Sequence, residues 1–211
     1  MSHRITYFPF AGRADPVRIA AFIGGVELED VRVPGKEFMQ MKVSGQLPLG
    51  SLPVLDLPDG TRVGQCVAML RYVAALGSSD TLYPSDPLTA LVVDSVLDTF
   101  NDTLSKVFMP TIREQDPEKK RAMREAFSAG PLRTCLGYVE GLAETYGGDG
   151  PFITGSELTI ADLYAGVSLG HYFSGNVDFL DVSVIEAFPR MAALRDAYAV
   201  NDKVVAYRNT L

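Results

Sequence analysis

"RITYFPFAGRADPVRIAAFIGG", residues 4–25, carries a strand, a turn and a helix in succession. The β-branched and aromatic residues of 4–8 suit a short strand, which Pro9 and then Ala11-Gly12 interrupt. Asp15 before Pro16 predicts a helix N-cap with a first-turn proline, and the apolar run behind it a helix that stops at Gly24-Gly25. Tyr7 and Arg13 flank the turn. Alone, such a pair is accounted for by an interfacial phenol and a surface guanidinium. Its meaning therefore depends on the rest of the chain.

Working outward, "EDVRV" (29–33) alternates as a strand does, and 36–43 is a looser helical or irregular stretch. "GQLPLGSLPVLDL" leads into a third strand near 52–57, and Asp59-Gly60 predicts a tight hairpin into "TRV". Pro53 stands at the start of that third strand, a position that tolerates proline and raises the chance of a cis peptide after Leu52. "QCVAMLRYVAALG" closes the series as a helix with a glycine stop. Strands first separated by helices and then joined by a hairpin describe a mixed sheet with helices on its faces.

Beyond a polar, proline-punctuated linker over 78–86, the pattern turns to helices alone. A long amphipathic stretch covers 88–112, and 117–146 forms a second helical region eased by Gly130-Pro131. "LTIADLY" sets Thr159 three residues before Asp162, a capping box with Asp in the Glu/Gln place, and Pro189 opens a helix near the end. The expected organisation is a domain over 1–77, the linker, and a helical domain over 87–211.

Composition excludes several classes. A net charge of −7 argues against nucleic acid, whose phosphates need clustered Lys and Arg. No apolar run approaches a membrane span and no leader pattern opens the chain, so the expected location is the cytoplasm. Two histidines and two distant cysteines offer no metal cluster, and Cys66 and Cys135 are expected as reduced thiols. The charge is uneven. Residues 1–77 hold eight Lys/Arg against seven Asp/Glu, a net of +1, while the remainder holds eleven against nineteen, −8. The first domain is the better home for a small anion.

Taken together, "TYFPFAGRADPVR", "LPLGSLPVL", "GQCVAMLRYVA" and "LTIADLY" resemble, in order and across most of the chain, the cytosolic glutathione transferases. The likeness is strongest to the tyrosine-type sigma class, which includes glutathione-dependent prostaglandin D synthases and cephalopod lens crystallins. The resemblance implies an N-terminal thioredoxin-like domain with a mixed four-stranded sheet, and an all-α C-terminal domain. It also gives the opening pair a chemical role. A free thiol ionises near pH ~8.5, so a neutral solution holds little thiolate without help. A tyrosine hydroxyl beside the sulfur of glutathione can donate to it and favour the ionised form.

Carried over residue by residue, the resemblance implies Tyr7 as this donor, Phe8 as lining beside the thiol, and Arg13 as a charge near Tyr7. For Arg13, a buried pairing with a carboxylate is the structural alternative. Leu52, turned outward by a cis Pro53, resembles the partner of the cysteinyl backbone, and Gln65 the ligand of the γ-glutamyl group. Cys66 stands where relatives usually have serine and is expected to bind glutathione as well, its helix-start N–H receiving the carboxylate although a thiol is the weaker donor. Phe38 and Lys42 resemble the residues framing the glycyl end, although Lys42 lies one residue further from Pro53 than in sigma enzymes, and a solvated lysine competes. Asp94, Asp98 and Asp102 share one helix face, and Asp102 matches a carboxylate that reaches the glutathione of a partner subunit in a homodimer. A solvated acidic face is the alternative. Asn101 replaces a carboxylate that in some relatives helps hold a divalent ion, so no metal is expected. The acceptor is expected among Phe8, Phe10, Leu104, Phe108 and Tyr164, without the tryptophan walls of relatives, since the chain has no Trp.

What the resemblance implies is conjugation of glutathione, a cosubstrate rather than a bound cofactor, to hydrophobic electrophiles. A crystallin-like structural role and a prostaglandin isomerase are the alternatives.

Overall fold

Ile5, Thr6 and Tyr7 of strand β1 (His3–Tyr7) are all buried, so both faces of this strand are covered. That is the environment of an inner strand. The computed structural model describes residues 2–79 and 81–211; the chain divides into one unit that ends at Tyr83 and a second spanning Pro84–Leu211. In the first unit β2 (Leu28–Arg32), β3 (Val54–Asp56) and β4 (Arg62–Val63) join β1 in a four-stranded sheet of order β2-β1-β3-β4. β2 runs parallel to β1 with Tyr7 opposite Arg32, β3 antiparallel with Thr6 opposite Val54, and β4 antiparallel to β3. The sheet is mixed, as the order of strands and helices predicts.

Both edges carry charge. β2 is charged and mostly exposed, which discourages pairing with another sheet. On the other edge Arg62 grips Asp56 through Nε at 2.5 Å and Nη2 at 2.8 Å. The Asp59-Gly60 turn is present, with the Thr61 N–H donating to Asp59 Oδ1 at 2.8 Å.

Helices α1 (Asp15–Gly24), α2 (Gly35–Val43) and α3 (Cys66–Leu76) complete the unit. α1 departs from expectation at its start. Asp15 is its first helical residue rather than its N-cap, because a 3-10 turn over Gly12–Ala14 has already wound the chain. Residues 36–43, loosely patterned in sequence, are a full helix.

In the second unit α4 (Pro87–Asp102), a π-helical segment (Thr103–Phe108) and α5 (Met109–Arg113) form one unbroken helical run. Pro110 lacks an N–H and crowds the carbonyl four residues back. A wider turn relieves this, and the Met109 N–H accordingly reaches Leu104 O, five residues away. α6 (Pro117–Ala129) and α7 (Pro131–Tyr146) meet at Gly130-Pro131.

α8 (Ile160–Tyr172) is buried almost all round and opens with the expected capping box. Asp162 accepts from the Thr159 N–H at 2.8 Å, the Thr159 hydroxyl at 2.7 Å and the Ile153 N–H at 2.9 Å. α9 (Pro189–Val200) lies so close that a Cβ at Gly166 would sit 2.3 Å from the Tyr198 ring. A buried carboxylate starts α9: Glu140 accepts from the N–H groups of Arg190 at 2.8 Å and Met191 at 3.0 Å. This satisfies two orphan donors and complements the helix dipole. A short α10 (Asp202–Arg208) follows. Among the described residues no helix is long and apolar enough to cross a membrane.

Candidate active site

β1 delivers Tyr7 as its last residue, and the turn behind it folds back over the phenol. The Arg13 N–H donates to Tyr7 Oη at 3.2 Å. Gly12, at φ +51°, makes that approach possible, since a Cβ there would come within 2.7 Å of Tyr7 Oη. Only glycine has both the backbone freedom and the space. The Tyr7 ring meets Phe8 and Phe10 edge-on at 5.2 and 5.5 Å. Phe8 in turn stacks on Phe10 at 5.5 Å and meets Phe38 edge-on at 5.2 Å. An apolar aromatic wall thus borders the hydroxyl. Burial pushes the Tyr7 phenol above its ordinary value, opposed by the Arg13 N–H and by the charges of Arg13 and Arg18.

Arg18 is a site residue that the sequence analysis missed. Its side chain is buried in α1, with the guanidinium 5.8 Å from the centre of the Tyr7 ring. Nη1 donates to the carbonyls of Phe10 and Ala11 at 3.0 and 3.3 Å, and Nε to Asp30 Oδ1 at 2.9 Å. It ties the turn to strand β2. The signal was an arginine inside the apolar run "PVRIAAF", where nothing but a buried partner justifies a charge.

Three chain segments meet at the Tyr7 end of the sheet. Leu52-Pro53 is a cis peptide immediately before Val54, which pairs with Thr6. Gln65 precedes α3 with φ +72° and ψ +95°, a conformation that a non-glycine residue seldom adopts. Such backbone positions concentrate at functional sites. Cys66 starts α3 and is buried, its Sγ donating to the Arg13 carbonyl at 2.7 Å. Burial pushes this thiol up to about 12, so it is a neutral donor already engaged within the chain. α3 has no side-chain cap, which leaves its first N–H groups open to an anion. Lys42 lies in the last turn of α2, exposed, and passes beside Gly50: a Cβ there would lie 3.7 Å from Lys42 Cε.

Tyr7, Phe8, Phe10, Arg13, Phe38, Lys42, Leu52, Pro53, Gln65 and Cys66 all belong to the first unit. The other expected residues belong to the second. Phe108 packs at 4.9 Å on Tyr172, 5.3 Å on Phe127 and 5.9 Å on His171. Buried Tyr164 donates to Asn101 Oδ1 at 3.3 Å, while Leu104 is half-buried on the π segment. Asp94, Asp98 and Asp102 lie on one face of α4, and Lys106 Nζ pairs with Asp102 at 2.7 Å.

Residues 101–210, more than half of the chain, match the family model for the C-terminal domain of glutathione S-transferases. The chain belongs to the glutathione S-transferase family. Among curated relatives, S-crystallin SL11 of Nototodarus sloanii is 28% identical over 98% of this chain and 95% of its own. Glutathione S-transferase S1 of Drosophila melanogaster is also 28% identical, over 98% of this chain and 77% of its own. A solved Caenorhabditis elegans glutathione S-transferase is 30% identical, with a TM-score of 0.76 over 99% of this chain and 97% of its own.

Proposed function

We propose that the chain binds glutathione at the Tyr7 end of its sheet and transfers the glutathionyl group to hydrophobic electrophiles. The observation that carries this is the Arg13 N–H on Tyr7 Oη. The phenol oxygen already accepts one hydrogen bond, so its own proton is free to be donated outward. Donation to the sulfur of glutathione favours the thiolate, whose proton passes to water, and the thiolate attacks an electrophilic carbon while the leaving group departs with its electron pair. The positive charge of Arg13 supports the same ionisation.

The remaining contacts follow the resemblance. The Leu52 backbone pairs with the cysteinyl peptide, Gln65 and the open N–H groups of α3 take the γ-glutamyl carboxylate, and Lys42 and Phe38 frame the glycyl end. Phe8 and Phe10 offer the acceptor an apolar surface, and Phe10 stands 55% exposed. The reduced, buried cysteines suit a cytosolic protein.

The proposal includes a two-fold homodimer in which the partner subunit's Asp102 meets the amino group of glutathione. The acidic face of α4 supports it. The Asp102–Lys106 pair is exposed at both ends and so exchanges partners at little cost.

The test is conjugation of glutathione to an aryl halide, run beside retention on immobilised glutathione. Conjugation with retention is expected. Retention without turnover would leave a binding protein, and neither would leave a structural relative.

A further inference from the structure

The turn that carries the Arg13 N–H to Tyr7 is anchored at both ends. Upstream, Arg18 holds the carbonyls of Phe10 and Ala11. Downstream, the Cys66 thiol donates to the carbonyl of Arg13 itself, across 53 residues of sequence. The Arg13 amide and carbonyl flank one Cα, so a tie on the carbonyl restricts the rotation that would swing the N–H away from Tyr7 Oη.

We infer that Cys66 is a positioning residue for Tyr7: its S–H fixes the Arg13 backbone, and the Arg13 N–H fixes the phenol that faces the thiol of glutathione. This rests on the reading of Tyr7 as thiol donor. Burial keeps Cys66 protonated at neutral pH, the state a donor requires. A thiolate here would instead repel the Arg13 carbonyl and, through its charge, raise the Tyr7 phenol further. The role differs from that of a serine donating to the γ-glutamyl carboxylate, because this thiol's one proton is spent on the backbone and leaves that carboxylate to the N–H groups of α3.

The experiment compares Cys66→Ala, which removes the donor, with Cys66→Ser, which keeps one. Protein labelled with ¹³C at the tyrosine ζ carbon reports Tyr7 directly, its resonance assigned by its loss in Tyr7→Phe. In the free protein, Cys66→Ala should move that resonance and Cys66→Ser should largely restore it. In the glutathione complex, Cys66→Ala should raise the thiol pKa by about half a unit to one unit and lower kcat below pH 7 about three- to tenfold, with KM for glutathione within about twofold. Thermal unfolding establishes that each variant is folded, and Cys66→Ser carries the test if Cys66→Ala is not. In that case a native Tyr7 resonance supports the tie and a displaced one contradicts it. A Tyr7 resonance unmoved in folded Cys66→Ala overturns the inference. So does a change confined to KM with tighter glutathione binding in Cys66→Ser, which would make residue 66 a ligand. Failure of the Tyr7 reading shows separately, as an unchanged thiol pKa in Tyr7→Phe.

Discussion

Tyr7 Oη accepts the backbone N–H of Arg13 at 3.2 Å, so the phenol is oriented by main chain and keeps its own proton for another acceptor. Burial also raises its ionisation above the ordinary tyrosine value. Tyr7 should therefore remain an O–H donor throughout the neutral range. Conjugation should rise with pH along a single ionisation, that of the glutathione thiol. A pH–rate profile checks this; a second rising limb near neutrality that Tyr7→Phe removes would contradict it.

Gly12 tests the same geometry from the other side. Gly12→Ala would place a Cβ 2.7 Å from Tyr7 Oη in a backbone of φ +51°. Conjugation should fall by about tenfold or more, by analogy with misplacing one donor to a developing anion. Stability should fall by about 1–3 kcal/mol from the strained position. Steady-state rates and denaturant unfolding measure both, and native activity would mean that the turn does not set the phenol.

Arg18→Leu removes the guanidinium that joins Phe10, Ala11 and Asp30. The leucine fills much of the space but leaves two carbonyls and a carboxylate without this donor. A loss of about 1–3 kcal/mol is expected, the cost of leaving the two carbonyls without their donor, since Asp30 is part-exposed and keeps Arg32 at 2.8 Å. Urea unfolding decides it, and a loss below about 1 kcal/mol would place Arg18 among dispensable surface charges.

These residues also show where sequence reading stops. Local rules found what is local: the Asp59-Gly60 hairpin, the Thr159–Asp162 capping box, the Gly130-Pro131 break and the proline opening α9. The cis Leu52-Pro53 peptide was legible from a proline at a strand start and a family motif. The direction of the Cys66 hydrogen bond was not, because it is fixed by a carbonyl 53 residues away. The Glu140 cap on α9 spans 50 residues and leaves no local trace. Asp15 looked like a cap because the 3-10 turn ahead of it has no sequence signature of its own. The π segment was hidden because Pro110 offers a choice between a kink and a wider turn, and packing chooses.

His171 should make stability depend on pH. His171 is exposed at the surface, but partial desolvation beside Phe108, with the Arg124 charge behind it, lowers its ionisation from 6.5. The unfolded chain therefore binds the proton first as pH falls below about 6.5, and stability is lost in that direction. His171→Gln does not titrate, so its Tm relative to the native protein should improve between pH 7.5 and pH 5. The shift on an exposed group is small, so the difference should be modest. Calorimetry across that range checks it, and a constant or opposite difference would contradict the lowered ionisation.

Asp102→Asn separates a surface pair from a shared site. The Asp102–Lys106 pair is exposed and four residues apart on one helix, so its loss should cost less than about 0.5 kcal/mol of stability. Glutathione affinity should nevertheless fall by about 1–3 kcal/mol, the range for a hydrogen bond to a charged group. Calorimetric binding and analytical ultracentrifugation test both halves. Unchanged affinity, or a monomer, removes Asp102 from the site.

The most direct measurement of the central claim is the pKa of the glutathione thiol bound to native protein and to Tyr7→Phe, read from thiolate absorbance against pH. The native complex should ionise well below the free thiol value of about 8.5, and Tyr7→Phe should return it most of the way while glutathione still binds. Conjugation at neutral pH should fall in step, by roughly 10–10³-fold. A thiol pKa equally lowered in Tyr7→Phe would contradict the account and assign the ionisation to another group.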